Sequence, residues 1–162
     1  MATFEERLRE ELAGASKVVV LGLGSELRGD DAAGLLAAQS IESVVPPDRY
    51  RVYIAGNVPE NYLGAIRGGA PSLVVVIDAA DMGMEPGHVV LVPRTGMDRV
   101  TSSTHSLPLG MLADYLAGDI GSRVIVVGIQ PKRVGLGDTV SEEVRAAVGR
   151  LARLFAEAGS PA

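Results

Sequence analysis

Three carboxylates and one histidine are the side chains of this sequence whose settings could do chemistry. Asp30 and Asp31 follow Val18-Val19-Val20-Leu21-Gly22-Leu23-Gly24 and precede Leu35-Leu36-Ala37-Ala38. Four apolar, mostly β-branched residues read as a strand buried on both faces. The two glycines let the backbone turn sharply or approach another group closely. The acids therefore stand at a strand–turn–helix junction, the usual place for a site in an open α/β sheet. Phosphate, itself negative, would want bare N–H groups or a cation there; two acids point to a metal ion or to proton transfer. The local alternative is that they cap the helix and complement its dipole, an effect of ~1 kcal/mol. Asp78 ends the run Leu73-Val74-Val75-Val76-Ile77, again where ligands bind in such sheets. Asp81 lies three residues further into the loop. His105 sits in Ser102-Ser103-Thr104-His105-Ser106, and an imidazole joined to two carboxylates makes an open O,O,N metal site. The other histidine, His88, alternates with Val89 and Val90 and reads as a surface residue of an edge strand.

Other chemistries fit less of the pattern. Gly22-Leu23-Gly24 invites a nucleotide-binding reading, but Leu27 replaces the third glycine of that fingerprint, and the second strand ends in Ala55 rather than in an acid for a ribose. Ser102 or Ser103 with His105 and Asp78 would make a Ser–His–Asp triad, yet no Gly-x-Ser-x-Gly elbow presents a nucleophile. Met82, Met84, Met97 and Met111 could form an adaptable peptide-binding surface or simply pack. The chain has no cysteine, which removes disulfides and thiolate chemistry. Any metal must use carboxylate, imidazole, carbonyl or water.

The elements that must position these residues follow from periodicity. Phe4, Leu8 and Leu12 mark an amphipathic helix lying over one edge. Lys17 to Leu23 is a first strand, and a helix runs from about Asp31 to Val44, stopping before Pro46-Pro47. Arg51 to Ile54 is a second strand. Asn57 and Glu60 have capping-box spacing, with Pro59 in the first turn, so a helix covers about 58–67 and ends at Gly68-Gly69. Ser72 to Ile77 is a third strand and His88 to Val92 a fourth. The link between them is too short for a helical crossover, which predicts an antiparallel edge strand. Residues 94–105 read as polar and irregular. A helix begins near Ser106, with Pro108 in its first turn, and Arg123 to Ile129 is a fifth strand. Thr139 and Glu142 form a second capping box, opening a last helix with Val140, Val144, Val148, Leu151 and Phe155 on one face.

This alternation predicts an α/β fold: a three-layer sandwich with a mainly parallel five-stranded sheet, one antiparallel edge strand, and helices on both faces. Right-handed crossovers give a strand order beginning 2-1-3, so the crevice opens between the C-terminal ends of strands one and three. Asp31 and Asp78, 47 positions apart, border that crevice. The 162 residues form a single domain, 1–162. A formal charge of −5 without a basic cluster argues against a nucleic-acid partner. Residues 1–16 are charged throughout and the longest apolar runs fall well short of ~20 residues, so the expectation is a cytoplasmic protein without membrane insertion.

Taken together, the sequence resembles the [NiFe]-hydrogenase maturation endopeptidases over roughly residues 17–155. The resemblance rests on Gly29-Asp30-Asp31-Ala32-Ala33-Gly34 after Gly22-Leu23-Gly24, Ala55-Gly56-Asn57-Val58-Pro59-Glu60-Asn61, Ile77-Asp78-Ala79-Ala80-Asp81-Met82-Gly83, Thr104-His105-Ser106-Leu107-Pro108-Leu109 and Gly128-Ile129-Gln130-Pro131, in that order. Asp-Met-Gly, Pro-Glu-Asn and Gly-Ile-Gln-Pro are most similar to the branch serving formate-hydrogenlyase and energy-converting hydrogenases. Ser25 stands where many relatives have Asn, and Ala55-Gly56-Asn57 where many have Asp-Gly-Gly. The resemblance implies that Asp31, Asp78 and His105 are both metal ligands and catalytic residues. It implies removal of a C-terminal extension from a hydrogenase large-subunit precursor after nickel insertion. The cofactor implied is a divalent metal, nickel, carried by the substrate or bound at the site. The protein is expected to act as a monomer, with Gly56, Asn57 and Glu60 contacting substrate in loops 56–61 and 79–104. A non-catalytic nickel-dependent checkpoint or chaperone that binds the same precursor is the alternative.

Overall fold

The computed structural model describes residues 1–100 and 107–159. Its elements are α1 (Phe4–Ala13), β1 (Val18–Leu23), α2 (Ala33–Glu42), β2 (Tyr50–Gly56), α3 (Leu63–Gly69), β3 (Leu73–Ala79), β4 (Val89–Leu91), α4 (Met97–Val100), α5 (Leu109–Gly118), β5 (Arg123–Ile129) and α6 (Glu142–Gly159), with 3-10 turns at Gly29–Ala32, Pro59–Tyr62 and Arg94–Gly96. The five strands form one sheet in the order β2-β1-β3-β5-β4. The pairings β1–β2, β1–β3 and β3–β5 are parallel and β4–β5 is antiparallel. The expected three-layer α/β sandwich is borne out, as is the antiparallel edge strand.

Alternation within the central strands divides the core. Val18, Val20, Leu73, Val75 and Ile77 pack with Leu8 and Leu12 of α1, Ala37 and Ile41 of α2, and Leu151 and Phe155 of α6. Val19, Leu21, Val74 and Val76 pack on the other face with Ile66 of α3 and Leu112 and Leu116 of α5. Every residue of β1 and β3 is buried, as expected for central strands covered by helices on both sides. Arg49 donates to Leu12 O and Ala15 O and to Ala158 O near the end of α6, joining the C-terminal ends of α1 and α6.

Several boundaries differ from the sequence reading. Thr3 and Glu6 form a reciprocal capping box on α1. The two boxes read from sequence do not form. The chain enters α3 through a 3-10 turn with Val58 at its N-cap and no side-chain cap bond, and Ser141, not Thr139, caps α6 through Val144 N→Oγ (3.3 Å). Residues 94–100 are not irregular but form a 3-10 turn and α4. Pro108 is the N-cap of α5 rather than part of its first turn. Among the described residues no helix is long and apolar enough to cross a membrane.

Candidate active site

The C-terminal ends of β1 and β3 meet the start of α2 at one point. A Cβ on Gly34 would lie 2.2 Å from Ile77 O and 2.3 Å from Leu23 O, so only glycine lets the helix backbone wedge between the two strand ends. Asp31 lies three residues before Gly34 and Asp78 directly after Ile77. The turn carrying Asp31, Gly29–Ala32, packs on β3. Both side chains are buried, at 1% and 0% exposure. Ser25 N donates to Asp31 Oδ2 (3.1 Å). Gly24 closes the turn from the other side: its φ is +135°, and a Cβ there would sit 1.9 Å from Asp31 O. The close approach that a dinucleotide fold reserves for pyrophosphate is here taken by the protein's own backbone, which disposes of the nucleotide reading of Gly22-Leu23-Gly24.

The adjacent acids part company. Asp30 Oδ2 accepts from Lys132 N (2.8 Å), Arg133 N (3.3 Å) and Ser141 Oγ (2.7 Å), and Oδ1 from Ser141 N (2.7 Å). Burial pushes its carboxyl up, but the bonds from Ser141, Lys132 and Arg133 outweigh this and hold it below the ordinary carboxylate range. The N-cap positions of the turn and of α2 are held by Arg28 and Ala32, neither of which makes a side-chain cap bond. The capping reading is therefore wrong: Asp30 ties two distant segments together, and Asp31 stays at the crevice.

Asp81 is an exposed loop residue. Gln130 Nε2 donates to its Oδ1 (3.1 Å), and this bond with one from Gly83 N holds its carboxyl low. Gln130 Oε1 accepts from Met82 N (2.7 Å) and Met84 N (3.2 Å), so one buried amide shapes the loop after Asp78. In Gln130→Ala these loop N–H groups lose their acceptor, a cost of roughly 1–3 kcal/mol. The expected outcome is a lower urea midpoint and faster proteolytic cutting within 80–87 than in wild type. Gly56 ends β2 at φ +60°, and its O accepts from Gly24 N (3.1 Å), beside the Asp31 turn. Asn57 and Glu60 are exposed on the following loop. His88 is exposed just before β4. His105, Ser102, Ser103 and Ser106 lie outside the described residues. Among the described residues no three His, Asp or Glu side chains group as metal ligands; they supply two carboxylates, a hard donor pair that suits a divalent cation with positions left open.

The hydrogenase maturation protease family model matches residues 37–158. The chain belongs to the hydrogenase maturation proteases. The family's Hydrogenase 3 maturation protease from Escherichia coli K12 is 37% identical over 131 residues, covering 80% of this chain and 83% of the relative. The crystal structure of a [NiFe] hydrogenase maturation protease, HycI, from Thermococcus kodakarensis superposes with a TM-score of 0.85 at 34% identity, covering 94% of this chain and 97% of that one. The solution structure of the Escherichia coli endopeptidase HycI gives 0.77 at 33% identity, covering 87% and 90%. As a hydrogenase maturation protease the chain is a peptidase, and the crevice beside Gly34 is where its fold gathers buried carboxylates.

Sequence reasoning missed the roles of Asp30, Ser141 and Gln130. Gly34 carried a signal, since a glycine inside a helical pattern marks close packing. The Asp30–Ser141 tie spans 111 residues and leaves no local trace.

Proposed function

We propose that this protein, as a cytoplasmic monomer, removes the C-terminal extension of a [NiFe]-hydrogenase large-subunit precursor after nickel insertion, with Asp31, Asp78 and His105 engaging a divalent metal at the crevice. The observation that carries this reading is the pair of buried carboxylates at the Gly34 wedge. Two carboxylates at one point are hard oxygen donors of the kind a divalent cation takes, and a single ion would serve both side chains. When bound, the ion supplies Lewis acidity toward the scissile carbonyl, an effect of several kcal/mol. Asp31 and Asp78 would hold it from the two strand ends, with His105, four residues before α5 in the sequence, as the third ligand, so one chain suffices.

The rim supports a protein substrate. Leu27, Val58, Met84, Val134 and Leu136 are 43–75% exposed, and they lie on the loops leaving β1, β2, β3 and β5 around the crevice. Exposed apolar side chains on the loops at this end of the sheet suit contact with a polypeptide.

Nickel-loaded and nickel-free precursor, each incubated with metal-stripped protein, separate the two sources of metal. Loss of a C-terminal fragment by intact mass is expected with the loaded precursor. Cleavage of the nickel-free form only after free nickel is added assigns the ion to the enzyme site. Binding without any loss of mass would leave a checkpoint protein instead. Asn57→Ala and Glu60→Ala should each raise KM several-fold while the melting temperature stays within about 2 °C of wild type, because both side chains are exposed; unchanged cleavage kinetics in both would place the substrate contacts elsewhere.

A further inference from the structure

We infer that Asp30 is a positioning residue for cleavage: its carboxylate, bonded to Lys132, Arg133 and Ser141, holds the turn that presents Asp31. The inference rests on the reading of Asp31 as a ligand and catalytic group.

The turn Gly29–Ala32 is a single 3-10 turn, built on Asp31 N→Arg28 O (3.1 Å) and Ala33 N→Asp30 O. One turn is too short to hold its own shape, because nucleating a turn fixes several dihedrals for one bond. Its rigidity must come from outside. The segment 131–141 supplies it. Asp30 N donates to Arg133 O (2.8 Å), and Lys132 N, Arg133 N, Ser141 N and Ser141 Oγ all donate to the Asp30 carboxylate. Gly137 N reaches Leu27 O (2.9 Å) on the same side. Ser141 also caps α6 through Val144 N. The brace therefore runs from Asp30 into the first turn of an 18-residue helix packed on α2.

Bonds to an ionised acceptor are shorter and about twice as strong as neutral ones, so the carboxylate fixes this corner more firmly than an amide would. Asp31 is the next residue, and any displacement of the Asp30 backbone passes to it. A misplacement of about 1 Å at reacting groups can cost about 10²-fold. Partners behind a metal ligand typically control about 10–100-fold in affinity or activity.

Asp30→Asn and Ser141→Ala test this against Asp31→Asn and wild type. Each is assayed below its own melting midpoint for kcat and KM on nickel-loaded precursor, and for cadmium affinity by calorimetry. Asp30→Asn is expected to lose about 10²-fold in kcat and about tenfold in cadmium affinity, with KM nearly unchanged. Ser141→Ala removes one donor to Asp30 and the cap on Val144 N but leaves the backbone donors, so it should lose about 3–10-fold in kcat without unfolding. Should Asp30→Asn fail to fold, Ser141→Ala carries the test. Folded variants with wild-type kcat and cadmium affinity, beside an inactive Asp31→Asn, would show Asp30 to be a structural tie alone. An active Asp31→Asn together with no cadmium uptake by wild type would instead defeat the site reading, and the inference with it.

Discussion

Replacing Asp31 or Asp78 by Asn is expected to reduce precursor cleavage by roughly 10³-fold or more while the protein stays folded. Either change removes a charge that holds the metal, whose contribution to charge stabilisation is several kcal/mol, and each 1.36 kcal/mol is about tenfold in rate. Asn keeps the volume and an acceptor oxygen, so the bond from Ser25 N to Asp31 can persist in Asp31→Asn. The measurement is the appearance of the cleaved C-terminal fragment with time, with circular dichroism as the control on folding. His105→Ala should lose activity to a similar extent if the imidazole is the third ligand. Full activity in any of the three folded variants would remove that residue from the site.

Gly34→Ala is expected to damage stability and activity together. The added methyl would lie 2.2 Å from Ile77 O and 2.3 Å from Leu23 O. Both neighbours are backbone of fully buried strands, so relief comes only by pushing α2 off the sheet. Overpacking of this kind costs about 1–3 kcal/mol, or roughly 2–12 °C in melting temperature for a domain of this size. The same displacement separates Asp31 from Asp78, since the first moves with the helix start and the second stays with β3. Cleavage should fall about 10²-fold. Gly68→Ala is the control. It lies in α3 with nothing within 4 Å of an added Cβ, and helix propensity predicts a neutral or slightly stabilising change there. Equal melting temperatures and rates for the two variants would mean the wedge is not what holds the crevice.

The sheet was legible because its strands are short apolar runs between turn signals, and because the link from β3 to β4 is too short for a crossover. Connection length and handedness then leave few strand orders, and the observed β2-β1-β3-β5-β4 is the one that puts Asp31 and Asp78 on a shared crevice. Helix starts were less legible. Asn57 with Glu60 and Thr139 with Glu142 have the right spacing for a capping box, but spacing does not say where the helical backbone begins. Pro59 draws the chain into a 3-10 turn first, and Ser141 is drawn into the Asp30 network. The division of labour between Asp30 and Asp31 could not be read locally, because what separates them is a loop more than a hundred residues away. Gln130 follows β5 with no local sign of its role, and its side chain turns back to bind the loop after Asp78.

Cadmium soaked into crystals of the protein, located by anomalous scattering, tests the crevice most directly. The expected result is a dominant peak between the carboxylates of Asp31 and Asp78, with His105 as a further ligand. A blank crevice with peaks only at surface groups such as His88 would contradict it.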